Sequence, residues 1–214
     1  MASKKVVELF YDVVSPYSWL GFEVMCRYRH VWNIDLKLCP AFLGGVMQGS
    51  GTHRLSELMS SYFNNHFLSK NSETFSGLGF PKVKSSLSAM RFVAAVQERE
   101  TGGDKLVEQV SRELWRRIWS EDKDITEPAS LSEAGMRAGL SERQLKEFLE
   151  LSVSKEIKDK LKSTTQKALD YGVSRSFPLT YTAAFFGSDR FELMAHCIGE
   201  KWLGPLPDKS ASKL

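Results

Sequence analysis

Cysteine is scarce in this chain: three residues in 214, at Cys26, Cys39 and Cys197. Their number is odd and no two are spaced as a CxxC. That excludes a disulfide framework and a dithiol redox motif, and favours a reducing compartment. Each thiol reads as a small core side chain. Long hydrophobic runs are also missing, and none approaches the ~20 residues needed to cross a bilayer. The opening Met1–Lys5 runs directly into a strand pattern carrying Glu8, a poor secretory signal. His30, His53, His66 and His196 share no ligand spacing such as HExxH, and no GxGxxG or GxxxxGK[ST] loop is present, so neither metal nor phosphate-loop chemistry is expected. A charge excess of one sign is nearly absent: the net charge is +3 and the pI about 8.7. Basic residues are scattered without an aromatic-interleaved stripe, so nucleic acid is not indicated. What remains is a chain that is 42% hydrophobic, enough for one compact domain or one domain with a large insertion.

The most informative stretch is Val6–Trp19. An apolar strand, Val6–Val13, runs into Ser15-Pro16-Tyr17-Ser18. Serine is a favoured N-cap, because its oxygen accepts from the orphan N–H groups of the first helical turn. Proline suits the first helical position, where its φ is already helical and no donor is lost. A helix is therefore predicted to begin at Pro16, with the Ser15 hydroxyl at its positive end, where an anion such as a thiolate is stabilised. A Ser-Pro pair is usually a cap and nothing more, so the surroundings must decide.

Pro16 to about His30 reads as a helix. Ile34–Leu38 alternates as a half-buried strand that Pro40 closes. Val6–Val13 suits a strand buried on both faces. The β-α-β order implies a parallel pair joined by a right-handed crossover. Gly44-Gly45 and Gly49-Ser50-Gly51 read as a flexible break. Helical patterns then dominate to about Gly172. Leu87–Val96 and Leu106–Trp119 form apolar faces, and the aromatics around Trp115 and Trp119 read as core. Thr126-Glu127-Pro128 starts a helix that Gly139 ends. Ser141 to Gln144 is a capping box. A further helix runs from about Ser154 to Tyr171, with Gly172 as its stop. Strand character returns only after Phe177-Pro178, and Gly187-Ser188-Asp189 is expected to cap a last helix through about Trp202. The fold class is α/β: a thioredoxin-like core with a large inserted all-helical domain. The core comprises residues 5–51 and 173–207, the insert 52–172, and a tail 208–214.

In such a core the first strand ends at the redox motif. Here Ser15 and Ser18 stand where sulfurs would be, so the site cannot form a disulfide. It can still stabilise a thiolate from elsewhere. Lowering a thiol pKa from about 8.5 to 7 corresponds to roughly 2 kcal/mol, which a charge-assisted hydrogen bond plus a helix end can supply. Phe177-Pro178 falls where the fold places a cis-proline, whose preceding residue offers main-chain groups to an extended thiol peptide. Ser188-Asp189-Arg190, at the expected start of the last helix, can bind a carboxylate through free N–H groups and an ammonium through Asp189. A thiolate site, a main-chain rail and an amino-acid clamp together describe a glutathione site.

The residues Glu8–Glu23, Arg112-Glu113-Leu114-Trp115, Asp124-Ile125-Thr126-Glu127, Phe186-Gly187-Ser188-Asp189-Arg190 and Gly199–Pro205 resemble kappa-class glutathione S-transferases. The likeness is dense over 5–51, 86–131 and 186–207 and thin over 52–85. It implies a thioredoxin-like homodimer found in mitochondria and peroxisomes. Such an enzyme takes glutathione as substrate, conjugates it to electrophiles and reduces some organic peroxides. It implies Ser15 as the catalytic hydroxyl, and Pro16 and Tyr17 lining the thiol site. Thr52 takes the place of an Asn, Phe177 pairs with the cysteinyl backbone beside Pro178, and Ser188 and Asp189 hold the γ-glutamyl end.

Two segments depart from that pattern. Thr52-His53-Arg54 and its sequel lack the family's lysine, and only seven residues, Leu179–Phe185, stand where two strands are expected. Two alternatives therefore stand beside the transferase: an enzyme like the related, glutathione-dependent 2-hydroxychromene-2-carboxylate isomerase, and a non-enzymatic peroxisomal binding protein with a degraded site. The closing Ser212-Lys213-Leu214 reads as a peroxisomal address, with the mitochondrial matrix as the other compartment.

Overall fold

The structure is a computed structural model that describes residues 3–50, 85–100, 104–173, 184–185 and 188–207. Strand β1 (Lys5–Tyr11) leads into helix α1 (Pro16–Tyr28), and strand β2 (Ile34–Pro40) returns parallel to β1, pairing Lys5 with Ile34 through Tyr11 with Pro40. Helix α2 (Leu43–Gly49) follows, then α3 (Leu87–Arg99), α4 (Lys105–Trp119), α5 (Pro128–Arg137), α6 (Glu142–Ser152), α7 (Lys155–Val173) and α8 (Phe191–Ile198). Among the described residues the sheet has two strands. No described helix is long and apolar enough to cross a membrane.

The predicted starts of α1, α5 and α6 are observed for the predicted reasons. Ser15 Oγ accepts from Ser18 N–H at 3.1 Å and Pro16 occupies the first turn. Pro128 likewise occupies the first turn of α5, whose N-cap Glu127 makes no side-chain cap bond. Ser141 and Gln144 complete a reciprocal capping box. At the end of α5, Gly139 takes φ 91°, letting Leu140 N–H reach Gly135 C=O at 3.0 Å and Gly139 N–H reach Met136 C=O at 3.0 Å. This is the Schellman closure that only a residue tolerant of positive φ makes cheaply.

Four expectations are corrected. The glycines after Phe42 do not break the chain but form α2. A Cβ on Gly49 would lie 2.6 Å from Leu169 Cδ1, and one on Gly45 would lie 3.1 Å from Thr165 Cγ2. Their bareness lets α2 lie close on α7, a packing gain that outweighs glycine's poor helix propensity. Next, β1 is not buried along both faces. Val6 at its start is 64% exposed and Tyr11 at its end 2%, because the aromatic packing from α1 and α4 gathers at the strand's exit. Helix α7 continues through Gly172 to Val173 instead of stopping there. Finally, α8 starts after Arg190 and ends at Ile198, where Gly199 adopts φ 69° and closes the helix before Trp202. The strand expected beyond Pro178 lies outside the described residues.

One buried cluster runs through Tyr11, Phe22, Phe92, Trp115, Leu145 and Ile157, so the strand pair and the helical segment share a core. Trp115 is fully buried, as the sequence suggests, and Trp119 packs at its edge. Beyond α8, the 201–205 segment is strapped to α1. Tyr28 Oη donates to Gly204 C=O at 2.7 Å and accepts from Leu203 N–H at 2.9 Å, and Trp202 stacks on the Tyr28 ring at 5.0 Å.

The loop before α5 is organised by Asp124. Burial alone would raise its pKa, but hydrogen bonds from the Thr126 hydroxyl and from the Glu127 and Thr126 N–H groups outweigh it and hold it at about 2. The folded pKa lies below that of the unfolded chain (about 3.9), so the carboxylate's contribution is present above pH ~4 and is lost as pH falls toward 2. In urea unfolding from pH 6 down to 2, the stability gap between wild type and Asp124→Ala is expected to narrow through that window. A gap independent of pH would contradict the assignment.

Candidate functional site

The site is built where β1 ends. The chain turns through Asp12–Val14, and Ser15 N–H donates to Asp12 C=O at 3.1 Å. Ser15 sits in extended conformation (φ −93°, ψ 117°) as the N-cap of α1 and is half-buried, within reach of solvent. Its hydroxyl oxygen accepts from Ser18 N–H, and its carbonyl oxygen accepts from Trp19 N–H at 3.2 Å. Among the described residues, no acceptor engages the hydroxyl proton and no partner engages Tyr17 N–H. The first turn carries no acidic side chain. Among the described residues the positive end of α1 is thus uncompensated, and none of them occupies the two donors Ser15 Oγ–H and Tyr17 N–H. Accepting from Ser18 also polarises the Ser15 hydroxyl and makes it a better donor.

No cysteine thiol of the chain supplies a thiolate here. Burial pushes the Cys26 thiol up to about 12 and the Cys39 thiol up to about 11. Both are half-buried and remain protonated at neutral pH. Cys197 is exposed on α8 and so is not the core residue expected of it. Among the described residues no group of His, Cys, Asp or Glu converges in a way that could hold a metal ion.

Of the predicted site residues, the structure brings together Ser15, Pro16 and Tyr17 at one helix start, with Tyr17 44% exposed. Ser188 and Asp189 stand just before α8, which adjoins α1: a Cβ on Gly21 would lie 3.9 Å from the Phe191 ring. They do not cap α8. Its N-cap is Arg190, without a side-chain cap, and Asp189 pairs with Arg190 at 3.6 Å. Capping has been displaced by one to two residues, which leaves the first-turn N–H groups of α8 without a side-chain cap. Neither residue hydrogen-bonds to the start of α1. Thr52, Phe177 and Pro178, the cis geometry expected at that proline, and the shortened 179–185 segment through Ala183 lie outside the described residues.

Two residues that sequence reasoning passed over are central to the geometry. The Asp12 carboxyl is buried at 3% exposure and collects three donors: Val14 N–H at 3.0 Å, Leu43 N–H at 2.8 Å and the Ser86 hydroxyl at 2.7 Å. It therefore caps α2, which has no cap of its own, and ties α2 and the start of α3 to the turn before Ser15. Burial raises its pKa, while those hydrogen bonds oppose the rise. The signal was an acid at the exit of an apolar strand, two residues before an N–H it can bind as an Asx turn. Trp115 sends its Nε1–H to the Ser15 carbonyl at 3.1 Å from one hundred residues away; an apolar helical period carries no trace of that bond.

The parallel β-α-β unit, with a helix N-terminus at the strand exit and helices packed around it, defines a thioredoxin-like domain. The DSBA-like thioredoxin domain family matches residues 6–199. Glutathione S-transferase kappa 1 of Homo sapiens is 42% identical over 225 residues, covering 98% of both chains, and that of Rattus norvegicus is 41% identical over 227 residues with the same coverage. A solved 2-hydroxychromene-2-carboxylate isomerase superposes with a TM-score of 0.62 at 17% identity, covering 91% of this chain and 94% of that one, and so shares the fold. The chain belongs to the kappa class of glutathione S-transferases.

Removal of the Asp12 carboxylate leaves three donors unmet in the interior. Asp12→Ala is expected to lower unfolding free energy by roughly 2–4 kcal/mol. Asp12→Asn should fall between the two, since one amide oxygen cannot satisfy donors on both sides. Chemical denaturation measures both; an Asp12→Ala variant as stable as wild type would refute the assignment.

Proposed function

We propose that the chain is a glutathione transferase in which Ser15 stabilises the thiolate of bound glutathione. The observation that carries this reading is the Ser15 hydroxyl at the N-cap of α1, one lone pair taken by Ser18 N–H and its proton engaged by no acceptor among the described residues. The glutathione S–H loses its proton to solvent. The resulting thiolate accepts from Ser15 Oγ–H and Tyr17 N–H, in the field of the helix end. It attacks the electron-poor carbon of an aryl halide, forming a C–S bond as the halide leaves. The high pKa values of Cys26 and Cys39 support a nucleophilic sulfur that arrives with the substrate.

The same thiolate is suited to attack the O–O bond of an organic hydroperoxide, forming a sulfenic acid on its sulfur as the alcohol leaves, after which a second glutathione thiol displaces that oxygen as water and forms the disulfide. In this reading Phe177 pairs with the cysteinyl main chain beside Pro178, and Thr52 contributes a hydrogen bond. Ser188 and Asp189 take the γ-glutamyl end beside the uncapped first turn of α8. The proposed assembly is a homodimer. Residues 212–214 support a peroxisomal address, checked by comparing a fluorescent reporter ending in this tail with one ending at Ala211: only the former should enter peroxisomes. An isomerase reading has the shared fold behind it, whereas identity of 41–42% over nearly full length supports the transferase.

Glutathione should give a saturable calorimetric signal, and Ser15→Ala should lower turnover with a chloronitrobenzene tenfold or more, about 1.4 kcal/mol of lost transition-state stabilisation. Absence of heat and of thermal shift at millimolar glutathione would leave the fold reading standing and reject the transferase. Unchanged turnover in Ser15→Ala would reject the role of the hydroxyl.

A further inference from the structure

The Cα–Cβ direction of Ser15 is set by the two peptide groups that flank its α-carbon, and its Oγ is held along that direction by Ser18 N–H at 3.1 Å. On the N-terminal side, Ser15 N–H donates to Asp12 C=O at 3.1 Å. On the C-terminal side, Ser15 C=O accepts twice, from Trp19 N–H at 3.2 Å and from Trp115 Nε1–H at 3.1 Å. The first contact is a local turn and the second the first bond of α1. The third comes from α4, in the helical segment, and is the long-range anchor among them. Its donor has little freedom. Trp115 is fully buried, its ring lying 5.5 Å from Tyr11, 4.9 Å from Phe22 and stacked at 4° on Trp19 at 6.1 Å. Tyr11 is itself tied to Ser111, one turn earlier on α4, by a buried 2.9 Å hydrogen bond.

We propose that Trp115 is a positioning residue for the thiolate chemistry: its indole N–H fixes the Ser15 carbonyl, and with it the hydroxyl's aim at the sulfur. This rests on the glutathione reading of Ser15. With both flanking peptides held, φ and ψ of Ser15 are set, and so is the Cα–Cβ direction. Without the indole donor the Ser15 carbonyl keeps only its helical bond, and the cap is free to tilt within its extended well. A hydrogen bond to a thiolate weakens steeply with such misalignment, whereas the glutathione reading assigns the carboxylate and main-chain contacts of the substrate to other residues. The loss should therefore appear in sulfur activation and leave glutathione affinity nearly intact.

The test compares wild type, Trp115→Phe, and protein carrying benzothienylalanine at position 115, an isostere that keeps the fused ring and lacks the N–H. The readouts are the ultraviolet thiolate absorbance of bound glutathione against pH, and kcat and KM for conjugation. In the isostere the bound thiol pKa is expected to rise by about half a unit to one unit. At neutral pH kcat should fall about three- to tenfold, with KM for glutathione within about twofold. Trp115→Phe should shift the pKa in the same direction. The isostere separates this from loss of packing, since its ring volume is preserved. A wild-type thiolate titration that is unchanged in the isostere overturns the proposal alone. A wild type that shows no thiolate signal overturns the glutathione reading and this proposal with it.

Discussion

A single carboxylate, with no ion pair to it among the described residues, sits at the exit of β1 and fastens what comes after. Asp12 takes a donor from the turn it belongs to, a donor from the first residue of α2 and a donor from the residue that precedes α3. A charge in such a place is tolerated only when its acceptor capacity is filled. That requirement runs in both directions. The carboxylate needs those three elements in place, and α2, lacking a cap of its own, needs the carboxylate. The turn that this arrangement stabilises carries Ser15 two residues beyond Val13. The position of the site is therefore settled by a buried electrostatic demand as much as by hydrophobic packing.

Around that turn, the apolar packing is aromatic and converges on one ring. Tyr11 from the strand, Trp19 and Phe22 from α1 and Trp115 from α4 meet there. Beneath α1, Arg112 binds Glu23 through two contacts of 2.8 and 3.3 Å and rests over the Phe22 ring at 5.4 Å. It also reaches Glu108, which pairs in turn with Arg29. The side of α1 facing α4 is thus held by charge and ring together. At its N-terminus, no described residue engages the Ser15 hydroxyl proton or the Tyr17 N–H. A rigid helix body whose positive end is left unfilled by the described residues is the physical state an anion-binding site requires, because no reorganisation is needed when charge arrives.

Local rules account for the parts of the fold that were legible in sequence. Ser15 and Pro16 marked the start of α1 because capping and a fixed φ act on neighbouring residues. Ser141 with Gln144, and Gly139, worked for the same reason. In segment 43–49 glycine's poor helix propensity points to a break, while the fold uses the glycines for closeness to Thr165 and Leu169, more than a hundred residues away. The limits of α8 moved because two candidate caps, Ser188 and Asp189, preceded a helix that begins only after Arg190, and because Gly199 adopted the left-handed conformation that ends a helix.

By itself the sequence determined the chemistry offered at the strand exit: a hydroxyl instead of a thiol, at a helix start, in a chain whose motifs resemble one class of glutathione enzyme. These features depend on residue identity at spacings of one to four, where the backbone leaves little choice. Only the tertiary structure decided how that hydroxyl is supported. The bond from Trp115 to Ser15 and the three donors on Asp12 join residues up to a hundred positions apart. They form through packing of whole helices, and hydrophobic periodicity gives a helix its buried face without saying which carbonyl an indole on that face will meet.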